Sequence, residues 1–222
     1  MKNGDWAEPL NSLFFGANMK FTLYRIDPEY CDYLRAHDEK VPINHGDKKR
    51  RPFIGVVLEV NQFKYFAPLT SPKPKHQTMN NAIDFIKIAG GTLGAININY
   101  MIPVPEQCLT AADLAIRDED TEATVKYKRM MHQQIDWCKR NRPTITNRAE
   151  KLYRLITSGK ATDKLRLRCC DYATDELYCL AYRDGIKDID FQRAVNLFLA
   201  DAQAAVEREV YATMQDVFGK DE

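Results

Sequence analysis

The chain has 222 residues, 45% hydrophobic and 28% charged, with 10 Gly, 10 Pro and a formal net charge of +1. This composition fits one large globular domain or two small ones and excludes a collagen-like or mostly disordered chain. No apolar run approaches the roughly 20 residues that span a bilayer, and the first residues lack the basic flank, apolar core and small-residue cleavage site of a secretory signal, so a cytoplasmic protein is expected.

The small net charge hides a division along the chain. Between Lys126 and Arg168, 13 Lys or Arg stand against Asp136, Glu150 and Asp163, a net of +10; from Asp171 to Glu222, 5 basic residues face 12 acidic ones, a net of −7. The basic block has the electrostatic footprint of a polyanion partner, but also that of a solvated helical face partly neutralised by the acidic tail. Charge alone favours the solvated face.

In chain order, residues 1–18 show little apolar periodicity and read as a dispensable leader. Lys20 to Ile26 is a β-rich run, after which Asp27-Pro28 has the form of a helix cap followed by proline at the first helical position. A short helix should therefore carry Tyr30, Tyr33 and Leu34. Lys48-Lys49-Arg50-Arg51, between Pro42 and Pro52, reads as a mobile basic loop. Strands over 53–60 and 63–69, separated by Asn61-Gln62, predict a tight hairpin, and Pro72 and Pro74 force residues 70–76 out of the sheet. A weaker strand follows over 83–88, then an alternating one through Ile96, Ile98, Tyr100 and Ile102. The first half thus reads as antiparallel β, in the manner of a small barrel or sandwich.

From Thr110 the period becomes helical. Tyr127, Met131, Ile135 and Cys138 make one apolar stripe, leaving Lys126, Lys128, Arg129, Lys139 and Arg140 for other faces. Asn147 with Glu150 three residues on predicts a second helix ending at Gly159, and residues 177–183 a short third. The last helix, about 190–217, aligns Phe191, Val195, Phe198, Ala202, Ala205, Val210, Met214 and Val217 near one face, the pattern of a packing or oligomerisation helix.

Metal chemistry is not expected: His37, His45, His76 and His132 lack ligand spacing, and adjacent Cys169-Cys170 start a tetrahedral site poorly. The six cysteines, irregularly spaced and without a Cys-x-x-Cys pair, read as reduced thiols with no structural disulfide. There is no glycine-rich phosphate loop of a common kind. The densest polar constellation is Thr70-Ser71-Pro72-Lys73-Pro74-Lys75-His76. RNA cleavage asks little of a protein, because the substrate's own 2'-hydroxyl can attack the adjacent phosphorus. The protein must help remove that proton, stabilise charge on phosphorus-bound oxygens and help the 5'-oxygen leave. Lysines, small hydroxyls and an imidazole suit those tasks without a metal. The same residues also suit a solvated surface turn.

Resemblance adds to this reading. Lys40-Val41-Pro42, Pro52-Phe53-Ile54-Gly55-Val56-Val57-Leu58-Glu59, Ala67-Pro68-Leu69-Thr70-Ser71-Pro72-Lys73, Gly94-Ala95-Ile96-Asn97 leading to Met101-Ile102-Pro103, and Tyr127-Lys128-Arg129-Met130 occur in order. From Met19 to about Arg183 the chain resembles the type III toxin–antitoxin endoribonucleases of the ToxN/AbiQ family. The resemblance implies an α+β fold: one compact domain over 19–185, a twisted, antiparallel, half-open barrel like that of MazF/Kid toxins surrounded by helices. The acidic helical extension 186–222 would pack on it.

It also implies cofactor-free, metal-independent cleavage to 2',3'-cyclic phosphate and 5'-hydroxyl ends. The implied partners are a small repeat-derived RNA antitoxin, often a pseudoknot, held in a closed multimeric assembly, and cellular or phage mRNA as substrate, with neither membrane nor DNA involved. Thr70, Ser71 and Lys73 map onto catalytic positions, with His76 a proton-transfer candidate. Tyr30 and Arg51 map onto substrate positioning, Arg51 standing where relatives carry Lys and so serving as a phosphate clamp. Lys40, Lys48, Lys49, Arg50, Lys75, Lys126, Lys128, Arg129, Lys139 and Arg140 are RNA-contact candidates. Tyr30, Tyr65, Phe66 and Tyr100 are candidates for stacking on unpaired bases, with a core position preferred for Phe66 and Tyr100. Two other classes stay open: a non-catalytic RNA-binding regulator, and a protein-interaction module built on the C-terminal helix.

Overall fold

The structure, a computed structural model, describes residues 20–46 and 51–218, the side chains of 213–218 excepted. The leader, Lys48, Lys49, Arg50, and the Met214 and Val217 side chains therefore lie outside the described residues.

The chain begins with β1 (Thr22–Ile26) and α1 (Pro28–Arg35). The Asp27 side chain accepts a hydrogen bond from the Glu29 amide at 2.9 Å, and Pro28 opens the helix, as that dipeptide predicts. β2 (Phe53–Val60) and β3 (Phe63–Thr70) form the expected hairpin, with Asn61 in the left-handed region at φ 52°. After α2 (Pro74–Thr78) come β4 (Phe85–Lys87), β5 (Ala95–Asn97), β6 (Ile102–Pro103) and β7 (Leu109–Ala111).

The continuous strand expected through 96–102 is instead broken by a 3-10 turn at Ile98–Tyr100. β5 pairs with β3 at Leu69 and Thr70, and β6 pairs with the same strand at Tyr65 and Phe66. The break falls opposite Ala67-Pro68, and Pro68 has no N–H to give a ladder. The sheet runs β4-β5-β3-β2-β1-β7 with β6 also against β3; this path is open, so the barrel implied by resemblance is not closed.

The helical half comprises α3 (Glu122–Arg140), α4 (Arg142–Thr157), α5 (Asp163–Arg166), α6 (Tyr172–Arg183) and α7 (Phe191–Phe218). Two helices start earlier than predicted. α4 begins at Arg142, with Pro143 in its first turn, leaving Asn147 exposed inside the helix. α6 is capped by Asp171, whose side chain accepts from the Thr174 amide. α6 carries the junction between helices and sheet: Glu176 accepts hydrogen bonds from the buried Tyr65 hydroxyl (2.7 Å) and from Tyr153 (2.9 Å), and Tyr172 donates to the Ile98 carbonyl.

Among its described side chains, α7 docks through its first half. Ala194 is buried, Phe198 stacks parallel to Phe63, and Asp201 pairs with Arg183 at 3.0 Å. The face drawn from Phe191 is corrected: Phe191 and Val210 are more than half exposed, and the buried face runs through Ala194, Leu197 and Phe198. All six cysteines are buried free thiols. No helix among the described residues is long and apolar enough to cross a membrane.

Candidate functional site

β3 ends at Thr70 because Pro72 and Pro74 cannot continue its ladder, and the chain turns into the single-turn helix α2. The turn closes through the His76 amide, which donates to the Lys73 carbonyl at 2.9 Å. This loop forms one wall of a cleft of about 860 Å³. Thr70, Ser71, Lys73, Lys75 and His76 all line it, together with Arg51 two residues before β2. Gly94 fixes the loop from beneath. It adopts φ +93°, and a Cβ there would lie 2.0 Å from the Thr70 carbonyl oxygen, so only glycine lets the two backbones approach this closely. Gly91 does the same against the His76 carbonyl, at 2.6 Å.

The cleft is cationic. Arg51, Lys73, Lys75 and Arg168 line it against one carboxylate, Asp84, which is buried and bound to Arg168. Burial lowers the Arg51 pKa from its usual value, and the group keeps its charge. The Ser71 side chain is exposed, while the Thr70 hydroxyl donates to the Ser71 carbonyl at 3.1 Å. His76 differs from the loop histidine the sequence suggests. Its ring is buried edge-on against Phe85, and Nδ1 has no partner among the described residues. Burial first, then the charges of Lys73 and Lys75, hold its pKa below 6.5, so the ring is neutral near pH 7.

Other candidates fall elsewhere. Tyr30 is fully buried, its hydroxyl donating to the Pro103 carbonyl at 2.6 Å, and it ties α1 to β6. Tyr65 and Phe66 are core residues, and Tyr100 alone of the stacking candidates lines the cleft. Lys128 is buried and pairs with Asp120 at 2.7 Å while donating to the Ala115 carbonyl, so its charge is held within the protein. Lys126, Arg129, Lys139 and Arg140 are exposed on α3, outside the cleft. Lys40 lines a smaller neighbouring hollow.

Sequence reasoning missed Asp84, Asn99 and Arg168. The Arg168 guanidinium holds Asp84 through Nε at 2.6 Å and Nη2 at 3.1 Å, and the Asn99 side chain donates to the Arg168 carbonyl. The available signal was weak: Asn99 as a polar step in an apolar run, and Arg168 at the end of the basic block.

The open antiparallel sheet flanked by helices carries a cationic cleft walled by adjacent hydroxyls and lysines, which suits a phosphate polyanion. The profile of the family described as "Toxin ToxN, type III toxin-antitoxin system" matches residues 22–179. Endoribonuclease ToxN of Bacillus thuringiensis subsp. kurstaki is 36% identical over 184 residues, covering 80% of this chain and 92% of that protein. Among solved structures, AbiQ, a lactococcal anti-phage endoribonuclease of the type III toxin–antitoxin system, aligns with a TM-score of 0.63 at 26% identity, over 73% of this chain and 98% of its own. A toxin of a type III system, studied for selective inhibition by a non-coding RNA pseudoknot, aligns with a TM-score of 0.62 at 34% identity, over 73% and 97%. The chain belongs to the ToxN family of type III toxin–antitoxin toxins.

Proposed function

We propose that this family member is a metal-independent endoribonuclease that cuts RNA by internal transesterification. The 2'-oxygen attacks the adjacent phosphorus as it loses its proton, the bond to the 5'-oxygen breaks, and that oxygen gains a proton, leaving a 2',3'-cyclic phosphate and a 5'-hydroxyl. The observation that carries the reading is the loop at the end of β3, which brings Ser71, Lys73 and the neutral imidazole of His76 to one cationic cleft.

Each group has a task suited to its state. Ser71, exposed and small, donates to a non-bridging oxygen; Lys73 and Arg51 offset the charge that develops on the phosphorane. His76, neutral and lining the cleft, is suited to proton transfer. Thr70 orients the loop through the Ser71 carbonyl.

The pseudoknot-inhibited relative and the charge of the cleft support a small folded RNA as antitoxin, cut by the toxin from a repeat precursor and held in a closed assembly. Messenger RNA in the cytoplasm, cellular or phage, is the proposed substrate, and phage defence the proposed role. The toxin unit is proposed to span 19–185, with 186–222 as an acidic extension.

Ser71→Ala tests the site. Loss of an oxyanion donor should cut the cleavage rate by about 10²–10³-fold while Tm and RNA affinity stay at wild-type values. Cleavage at the normal rate overturns the site assignment, and salt-sensitive RNA binding without new RNA ends favours the regulator reading.

A further inference from the structure

Beside the main cleft lies a smaller hollow of about 300 Å³, lined by Lys40, Pro42 and Leu167. The two hollows share three residues, Arg51, Tyr100 and Arg168. Arg168 stands at that junction in a fixed orientation. Its Nε and Nη2 grip Asp84, a carboxylate whose side chain is only 6% exposed, and its own carbonyl is held by Asn99. The Arg168 side chain remains 44% exposed, and no acceptor among the described residues takes the N–H groups on its Nη1 edge. A guanidinium has five N–H donors in a rigid fork, so locking one edge to a carboxylate pre-sets the other for a second anion. Leu167 beside it is 76% exposed, an apolar side chain with no packing role to account for its place at the rim.

We infer that Arg168 grips the phosphodiester next to the one that is cut, and that the smaller hollow is a subsite for the nucleotide beyond it. Leu167 and Tyr100 offer the apolar surfaces against which that nucleotide's base rests. Asp84 is a positioning residue, acting on RNA only through Arg168. This rests on the cleavage reading, since the scissile phosphate must occupy the main cleft for its neighbour to reach Arg168.

The test uses the full chain freed of nucleic acid and 2'-O-methyl oligoadenylates and oligouridylates of two, three and six nucleotides, which bind without being cut. Wild-type affinity should step up between the dinucleotide, with one linkage, and the trinucleotide, with two. Arg168→Ala should abolish that step, weakening the hexanucleotide roughly tenfold and leaving the dinucleotide unchanged. The slope of log affinity against log salt should fall by about 0.7, the loss of one phosphate contact on a single strand. Arg168→Lys should keep most of the slope. Leu167→Ser, which leaves the Asp84 pair intact, should weaken the trinucleotide without changing the slope, and serves if Arg168→Ala fails to fold.

Equal weakening of all lengths by Arg168→Ala, an unchanged salt slope, or a wild-type chain that binds no oligonucleotide overturns the inference. Cleavage of RNA without a length step defeats it while sparing the nuclease. An Arg168-dependent step in a chain that never cuts RNA defeats the nuclease instead.

Discussion

Replacing Gly94 with alanine tests whether the catalytic loop is held from beneath by a backbone contact. The new Cβ would lie 2.0 Å from the Thr70 carbonyl oxygen and 3.1 Å from the Ser71 carbonyl carbon, where Cβ atoms essentially never come within 3.0 Å and ordinary contact begins at 3.4 Å. The loop must retreat by about 1 Å, and a misplacement of that size costs on the order of 10²-fold in rate. The backbone also resists, since left-handed φ penalises alanine by about 1–2 kcal/mol. Gly90 separates the two effects: it also has positive φ, +67°, but nothing lies within 4 Å of its would-be Cβ. Both variants should melt a few degrees below the parent chain, while cleavage of a fixed RNA under single-turnover conditions falls about a hundredfold in Gly94→Ala alone. Equal activity of the two variants would refute the reasoning, because the strained backbone would then be the whole effect.

Three further outcomes follow from side chains that the structure places away from RNA. Tyr30→Phe removes the hydrogen bond to the buried Pro103 carbonyl and should cost about 1 kcal/mol in urea unfolding with RNA affinity unchanged; weakened RNA binding at equal stability would return Tyr30 to the interface. Lys128→Met strips Asp120 of its partner and should lower Tm by several degrees, yet leave the salt dependence of RNA binding as it was; a shallower slope would make Lys128 a phosphate contact. Burial above all, with Asp38, Asp171 and Glu176 nearby, raises the Asp175 pKa well above the usual carboxylate range. The folded chain therefore keeps a proton that the unfolded chain releases near pH 4, and this contribution to stability is lost as pH rises towards the folded value. Asp175→Asn cannot ionise, so its stability relative to the parent should improve between pH 5 and pH 8; a difference flat with pH would contradict the assignment.

The parts of the fold written in local pattern were legible. Asp27-Pro28 fixed the start of α1, and Asn61-Gln62 the hairpin, because caps and turns act within a few residues. The loop from Thr70 was legible for the same reason, two prolines ending a strand. Tyr30 is instructive: it shares a helical stripe with Leu34, which is the spacing of a buried face, and the structure buries it as that spacing predicts. Lys128, assigned from the pattern to another face, is instead buried with Met131, Ile135 and Cys138, with Asp120 eight residues away to neutralise it. What no local pattern encodes is the Asp84–Arg168 pair, whose members are 84 residues apart and meet only when the helical half closes over the sheet. The basic block misled in the same way: charge counted along the chain does not say which cations share a face, and of that block Arg168 alone lines the main cleft.

The central claim is that the attacking group belongs to the RNA. Once a cleavage position is mapped on a substrate, the same RNA with a single 2'-deoxynucleotide on the 5' side of that linkage, incubated with the full chain in excess chelator, decides it. The account predicts that the unsubstituted RNA yields a 2',3'-cyclic phosphate and a 5'-hydroxyl, and that the deoxy substrate stays intact at that position. Cleavage of the deoxy substrate, or a 5'-phosphate on the product, would mean that water or a protein group attacks phosphorus, and would contradict it.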